Sequence, residues 1–216
     1  MSGHLCHAAT VLVVDDDASV RKALARLFQS AGWQAETFAS AREFLDHVAP
    51  ASPSCLVLDV WMPGLSGLDL QAEMTSRHLH TPIIFITGNG NVPMSVQAMK
   101  AGAVDFLIKP FKDEELLWVV QEAIQEDARL QAARAVKAEI QSRLQTLTGR
   151  EHEVLHLVVK GRMNKEIADA LGVTEPTVKV HRGRVMQKMQ VPSVAELVQT
   201  VALVRAGRSD RRTAGD

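Results

Sequence analysis

Five side chains in this 216-residue chain stand at the ends of apolar segments and together could carry out phosphoryl transfer. Carboxylates that gather at one point repel one another, so at neutral pH such a cluster favours a bound divalent cation. Oxygen ligands with no His or Cys nearby favour Mg²⁺, for which Mn²⁺ or Ca²⁺ could substitute. Beside the cation, one aspartate could attack a phosphoryl group while a lysine and a hydroxyl stabilise its oxygens. The side chains are Asp15, Asp16, Asp59, Thr87 and Lys109.

A parallel β-sheet is the structure that would bring these side chains together. Apolar runs of strand length alternate with segments of helical periodicity along the first half of the chain. This alternation predicts an α/β fold with a five-stranded, doubly wound parallel sheet, whose carboxyl strand ends meet at one rim. The predicted strands are 10–14, 34–38, 55–59, 82–87 and 104–108, and the predicted helices between them are 19–31, 41–48, 66–78 and 92–101.

Each of these polar residues also has an ordinary structural interpretation. Asp17, the third of three consecutive aspartates, can cap the helix that follows it. Thr87 suits a strand as a β-branched residue, and Lys109 before a proline can be a plain surface charge. The combination favours a functional site, because four separate strands each end in a residue that the same site would need.

The motifs around these positions resemble the receiver domain of two-component response regulators, over roughly residues 8–125. The resemblance implies a flavodoxin-like, CheY-like fold in which Asp59 is phosphorylated by a His residue of a sensor histidine kinase. It also implies that the domain catalyses only its own phosphorylation and dephosphorylation, so that the chain is not otherwise an enzyme. The matching stretches are 13–17, 58–67, 86–88, 101–106 and 109–111.

The same resemblance assigns roles to individual residues. It implies that Asp16 and Asp59 bind Mg²⁺, with Asp15 assisting through a water molecule and Trp61 through its backbone carbonyl. It implies that Thr87 and Phe106 form a switch pair, in which the hydroxyl turns toward the phosphoryl group and the ring follows inward. Phe106 is also compatible with being a core aromatic residue.

Residues 112–148 contain no Gly or Pro and are rich in strong helix formers. The segment predicts one helix of about thirty residues, in which 126–146 form a linker to a second domain. A helix broken near 127–137 is the alternative, and a dimerising coiled coil is a weaker one because the apolar spacing is not a clean heptad.

The second half of the chain predicts an all-α domain of four helices over 147–207, followed by a disordered tail at 208–216. Residues 1–147 carry 12 basic and 17 acidic side chains, a net charge of −5, whereas 148–216 carry 12 and 8, a net charge of +4. A short helix, a turn containing Gly and then a basic helix are typical of a helix-turn-helix. The predicted helices are 148–161, 164–171 with Asn164 as N-cap, 175–190 with Thr174 as cap, and 193–206.

Residues 148–200 resemble the LuxR-type helix-turn-helix domain, on the stretches 147–151, 164–168, 171–173 and 177–181. With the receiver in front, the whole chain is similar to a FixJ-type response regulator. The density of basic side chains on the third helix suits phosphates and base edges in a major groove. Gly183 lies in mid-helix where members of the family often carry a polar or basic side chain, and the glycine removes one possible base contact. By position, the resemblance implies that Lys179, Val180 and Arg182 face DNA, with Lys165, Thr177 and His181 near the DNA backbone. Arg184 and Lys188, also basic and on the third helix, complete the predicted DNA-binding residues.

The leading interpretation is a transcription regulator that is switched by phosphorylation and binds promoter DNA, as a homodimer when phosphorylated and with RNA polymerase as a further partner. The apolar stripe of the last helix is either a dimer face or core. An aspartyl-phosphate phosphatase or a flavin protein on the same sheet is less consistent with the residues, as is a receiver that works without phosphorylation. No signal peptide or membrane span is recognisable, and the two cysteines lie far apart, which predicts a cytoplasmic protein without membrane contact.

Overall fold

The structure, a computed structural model, describes residues 9–47 and 53–209. The chain divides into two compact units whose boundary falls between Gln131 and Ala132, within a helix. Among the described residues, no helix is both long and apolar enough to cross a membrane. The predicted tail at 208–216 lies almost wholly outside the described residues.

The first unit is a five-stranded parallel sheet in the order β2-β1-β3-β4-β5, with helices between successive strands. This confirms the predicted α/β receiver-type fold. The elements are β1 Thr10–Val14, α1 Ala18–Ser30, β2 Gln34–Phe38, α2 Ala41–Leu45, β3 Ser54–Asp59, α3 Gly67–Ser76, β4 Ile83–Thr87, α4 Val92–Lys100, β5 Asp105–Ile108 and α5 Asp113–Gln145.

The central strands are continuous apolar runs because both faces of the sheet are covered by helices. Alternate residues of β1 enter two separate clusters: Leu12 and Val14 face one layer, whereas Val11 and Val13 face the other. Strand β3 lies between β1 and β4 and is buried along its whole length. The last residue of this central strand is Asp59, so its carboxyl group stands at the end of a fully buried strand.

Local hydrogen bonds define where the helices begin. Asp17 caps α1, since its Oδ1 accepts the Ser19 backbone N–H at 2.7 Å, and hydrogen bonds from Ser19 lower the pKa of Asp17. The structure therefore confirms the predicted cap at Asp17. Helix α5 is one continuous element of 33 residues, without the alternative break near 127–137.

The second unit contains the helices α6 Gly149–Val159, α7 Asn164–Leu171, α8 Glu175–Met189 and α9 Val194–Ser209. Gly172 ends α7 with φ +64°, a left-handed conformation that makes the turn into α8. In α9, Leu197 and Val201 are buried in the core of this unit. Within the predicted apolar stripe, Leu197 and Val201 are thus core residues, while Val194 and Val204 are half-buried and pack against the core.

The structure corrects one predicted cap. Asn164 is the first residue of α7 and not its N-cap, and Met163 holds the cap position. The reason is that the Glu166 carboxylate accepts the Met163 backbone N–H at 2.8 Å, while the Asn164 amide accepts a bond from Arg182. Thr174 does hold the cap position of α8, but its hydroxyl bonds to the Thr177 hydroxyl.

Candidate functional site

Asp59 ends β3 with both carboxylate oxygens in hydrogen bonds. Oδ1 accepts from the Lys109 ammonium at 2.9 Å, and Oδ2 accepts from the Trp61 backbone N–H at 2.7 Å. The same ammonium lies 2.8 Å from Oδ2 of Asp15. Strands β1, β3 and β5 thus deliver their terminal side chains to one point, as the parallel topology predicts.

Burial and charge act against each other in this group. Burial raises the pKa of Asp59, and the hydrogen bond and charge of Lys109 offset this only in part. Burial alone would lower the pKa of Lys109, but its bonds to Asp15 and Asp59 outweigh burial and raise it. Lys109 is therefore charged at neutral pH and cancels only one of two adjacent carboxylates, which leaves a negative site suited to a cation.

The oxygen atoms at this rim fit a hard divalent cation. Asp15 is buried and its Oδ1 accepts the Asp17 backbone N–H, whereas Asp16 is exposed. Within 9–47 and 53–209, no three His, Cys, Asp or Glu side chains gather as a metal-binding group, and Lys109 bridges Asp15 and Asp59. A magnesium ion here would use two carboxylates, a backbone carbonyl and water, as the predicted ligand set allows.

An open cleft of about 370 Å³ lies above Asp59 and is lined by Asp59, Trp61, Gly88 and Asn89. Trp61 is 56% exposed, and its indole N–H donates to the Asn89 carbonyl at 3.2 Å. The Asn89 backbone N–H in turn donates to Oγ1 of the buried Thr87, also at 3.2 Å. These contacts of the Trp61 indole and of Asn89 were not predicted, because a single loop residue between two glycines shows no sequence pattern that indicates a bonding partner.

The predicted switch residues Thr87 and Phe106 meet around Gly90. A Cβ atom at Gly90 would lie 3.0 Å from the Phe106 ring and 3.0 Å from the Thr87 methyl group. Phe106 is half-buried, and its ring stands 6.1 Å from that of Phe85. The ring is thus both a partner of the core, as one interpretation expected, and a neighbour of Thr87.

Gly67 lies in close contact with the backbone at the end of β3. Its backbone N–H donates to the Val60 carbonyl at 3.0 Å, and a Cβ atom at Gly67 would lie 2.3 Å from the Asp59 carbonyl oxygen. The first turn of α3 can approach the end of β3 only because this residue has no side chain. The sequence placed Gly67 in a motif but did not reveal this contact.

The predicted DNA-binding residues are distributed over α7 and α8 of the second unit. Most present polar or basic groups at the surface, and Val180 among them is 53% exposed. For His181, whose residue is half-buried, Nδ1 is the buried side-chain nitrogen without a partner among the described residues. Exposed members are Lys165, Lys179, Val180 and Arg184, and half-buried members are Thr177, His181, Arg182 and Lys188.

Lys188 has partners within its own unit. Its ammonium donates to the buried Glu151 carboxylate at 2.7 Å and to the Thr146 carbonyl at 2.9 Å. Glu151 also accepts the Thr148 backbone N–H at 2.8 Å and completes the capping box of α6. These bonds, that of Lys188 first, lower the pKa of Glu151 to about 2. Lys188 thus joins α8 to the start of α6.

Replacing Glu151 by Gln is expected to lower the melting temperature of the second unit at pH 7 by several degrees. The folded carboxyl has a pKa of about 2 against an ordinary value of 4.5, so its ionised form stabilises the fold above pH 4.5. This contribution is lost as the pH falls from about 4.5 toward 2. Thermal unfolding of wild type and variant should converge in that interval, and Glu153→Gln, at an exposed residue, serves as control.

Two family models cover most of the chain. Residues 11–121 match the response regulator receiver domain, and residues 145–201 match the bacterial regulatory proteins of the luxR family. The first range contains Asp15, Asp16, Asp59, Thr87 and Lys109, and the second contains all of the predicted DNA-binding residues.

Relatives of similar length share both parts. The chain is 51% identical to nodulation protein W of Bradyrhizobium diazoefficiens over 88% of this chain and 84% of that protein. It is 41% identical to the transcriptional regulatory protein FixJ of Azorhizobium caulinodans over 94% of this chain and 96% of that protein. A solved structure of the response regulator StyR shares 48% identity and a TM-score of 0.84, over 90% of this chain and 98% of the other. The chain thus belongs to the FixJ-type response regulators, in which a receiver domain precedes a LuxR-type DNA-binding domain.

Proposed function

We propose that a sensor histidine kinase phosphorylates Asp59 and that the phosphorylated chain binds promoter DNA and regulates transcription. The observation that carries the proposal is the buried Asp59 carboxylate, which faces an open cleft with the Lys109 ammonium at 2.9 Å. Such a carboxylate is accessible to a donor and is already supported by a cation for phosphoryl oxygens.

In the proposed transfer, an oxygen of Asp59 forms a bond to phosphorus as the bond from phosphorus to the kinase imidazole nitrogen breaks. The electron pair of that bond stays with the imidazole, and Asp59 becomes an acyl phosphate. Lys109 remains bonded to Asp15 and can move its charge toward a phosphoryl oxygen. Burial disfavours the charge of the free Asp59 carboxylate, which makes it a reactive nucleophile.

Asp16 and Asp59, with the Trp61 backbone carbonyl, would hold Mg²⁺, and Asp15 would assist through water. The ion supplies neutralisation of phosphoryl charge in a site where Lys109 alone leaves a negative excess. Mn²⁺ or Ca²⁺ would occupy the same oxygen ligands. The hydroxyl of Thr87 would then leave the Asn89 N–H for the phosphoryl group, and the Phe106 ring, which already lies beside Gly90, would follow it inward.

The test of this part is intact mass after incubation with a small phosphodonor. With Mg²⁺ present, the chain should gain the mass of one phosphoryl group, and peptide mapping should place it on Asp59. A chelator that removes the metal should abolish the gain. An equal gain without any divalent cation would contradict the proposed role of the carboxylates.

For DNA, we propose that α8 enters the major groove and that a homodimer of phosphorylated chains, with RNA polymerase as a further partner, occupies neighbouring half-sites. Affinity for a mixed-sequence duplex should fall by about 10²-fold between 50 and 200 mM salt, the loss for around four phosphate contacts. Fluorescence anisotropy measures the affinity at each salt concentration. The control is Lys22→Ala, which removes one positive charge from the receiver and none from the proposed DNA-binding surface. A flat salt response would exclude the proposed surface. The basic side chains expected at phosphates or bases are Lys165, Lys179, Arg182 and Arg184.

A further inference from the structure

We infer that Arg182 clamps a phosphate of the DNA backbone and that Asn164 is the positioning residue that holds its guanidinium for this contact. The inference rests on the proposed DNA binding and deepens it, because it separates a backbone contact from the base-reading residues of the same helix. Asn164 was expected only as a helix cap, and the structure gives its side chain another partner.

The bond between the two side chains links the two helices of the helix-turn-helix. Arg182 Nη1 donates to Asn164 Oδ1 at 2.8 Å, across 18 residues of sequence. Asn164 opens α7 and Arg182 lies in the middle of α8, and both are half-buried. One guanidinium nitrogen is thus used inside the domain, and the planar group retains further N–H donors for a ligand.

The position of Arg182 around α8 argues against a base contact. Val178, one turn before it, is fully buried, and Val185 and Met189 continue the buried side of the helix. At about 100° per residue, Arg182 lies beside this buried stripe, on the flank of the helix. The opposite, exposed side is formed by Lys179, Val180, Gly183, Arg184 and Gln187.

The contact with Asn164 draws the guanidinium toward the start of α7 and away from that exposed side. A helix in the major groove presents its exposed side to the bases, while groups on its flank face the phosphates at the groove edge. Lys165, next to Asn164 in sequence, is exposed and adds a second positive charge beside the pair. An arginine that is fixed before binding loses less conformational freedom in the complex, so Asn164 should contribute to affinity without touching DNA.

The test compares full-length wild type with Arg182→Ala, Asn164→Ala and the double variant, on a selected promoter fragment and on a mixed-sequence duplex. Arg182→Ala should weaken binding about tenfold on both DNAs and reduce the log–log salt slope by about one. Asn164→Ala should cost about threefold and leave the slope unchanged, because the charge stays but is no longer held. In the Arg182→Ala background, Asn164→Ala should cost nothing further.

Two controls distinguish the loss of the Arg182–phosphate contact from a general loss of charge and from a loss of folding. Arg162→Ala removes the same charge near α7, but Arg162 is paired with Glu166 at 2.9 Å, so the salt slope should stay at the wild-type value. Thermal unfolding reports any loss of helix packing, which would not change the salt slope. If Arg182→Ala weakens binding only to the promoter fragment, Arg182 is a base reader. If Asn164→Ala weakens binding equally in the wild-type and the Arg182→Ala backgrounds, Asn164 does not position Arg182. Either result overturns the inference. If the wild type binds neither DNA, the proposed function itself fails.

Discussion

Replacing Asp59 by Asn is expected to abolish phosphorylation of the chain. The amide nitrogen and oxygen of Asn cannot form an acyl phosphate, and Asp15, which shares Lys109, is buried behind the site. Intact mass with phosphodonor and Mg²⁺ should therefore show no gain for the variant. Asp46→Asn, at an exposed aspartate of the same domain, should gain the phosphoryl group as the wild type does.

The same substitution is expected to raise the thermal stability of the receiver domain at pH 7. Burial raises the pKa of Asp59 above its ordinary value of 3.8, so the folded state disfavours the charged form. The contribution of Asp59 to stability is full below pH 3.8 and is lost as the pH rises through its folded pKa. Neutral Asn avoids this loss, and Lys109 keeps Asp15 as partner. A melting temperature below that of wild type at pH 7 would contradict the electrostatic account.

Replacing Gly67 by Ala is expected to destabilise the receiver domain by about 3 kcal/mol, at the upper end of overpacking costs, and to slow phosphorylation. The new methyl group would lie 2.3 Å from the Asp59 carbonyl oxygen and 3.1 Å from the Val60 Cα atom. Both neighbours are backbone atoms at the end of a buried strand, so α3 or the Asp59 peptide must move. Denaturant unfolding measures the first effect and the rate of mass gain measures the second.

Gly149→Ala is the matched control for that substitution. It adds the same methyl group to the first residue of a helix, where nothing lies within 4 Å. Its effect on unfolding should be within about 0.5 kcal/mol, as for ordinary surface changes. If Gly67→Ala behaves like this control, the close approach of α3 to Asp59 does not constrain the site.

The parallel sheet and the meeting of Asp15, Asp59 and Lys109 at its rim could be predicted, because the apolar runs and the polar residues at the strand ends point to the same topology. Apolar runs specify the fully buried strands β1, β3 and β4, and a parallel sheet then leaves little freedom for where the terminal side chains of its strands meet. The Asp59–Lys109–Asp15 contacts follow directly from this geometry. Helix ends were predicted less well: α9 runs to Ser209, beyond the expected 206.

Contacts between side chains of different elements could not be predicted. Lys188 looked like one more basic residue of the recognition helix, yet a buried carboxylate 37 residues away accepts its bond. Asn164 suited a cap by residue type, but Glu166 accepts the Met163 N–H at the start of α7 and the Asn164 side chain accepts from Arg182 instead. Which partner a side chain bonds to depends on distances in the folded structure, and residue type and sequence spacing do not give these distances. The hydrogen bond from the Trp61 indole to the Asn89 carbonyl was not predicted for the same reason.

The most direct test of the central claim is DNA footprinting with and without phosphorylation of Asp59. A promoter fragment is first selected from genomic DNA by the phosphodonor-treated wild type, and protection is then titrated for wild type and Asp59→Asn in Mg²⁺. We expect treatment with phosphodonor to lower the wild-type concentration needed for half-protection at least about tenfold, a coupling of about 1.4 kcal/mol, and to leave the variant unchanged. Equal protection by treated and untreated wild type, with Asp59 shown to be phosphorylated by mass, would contradict the account.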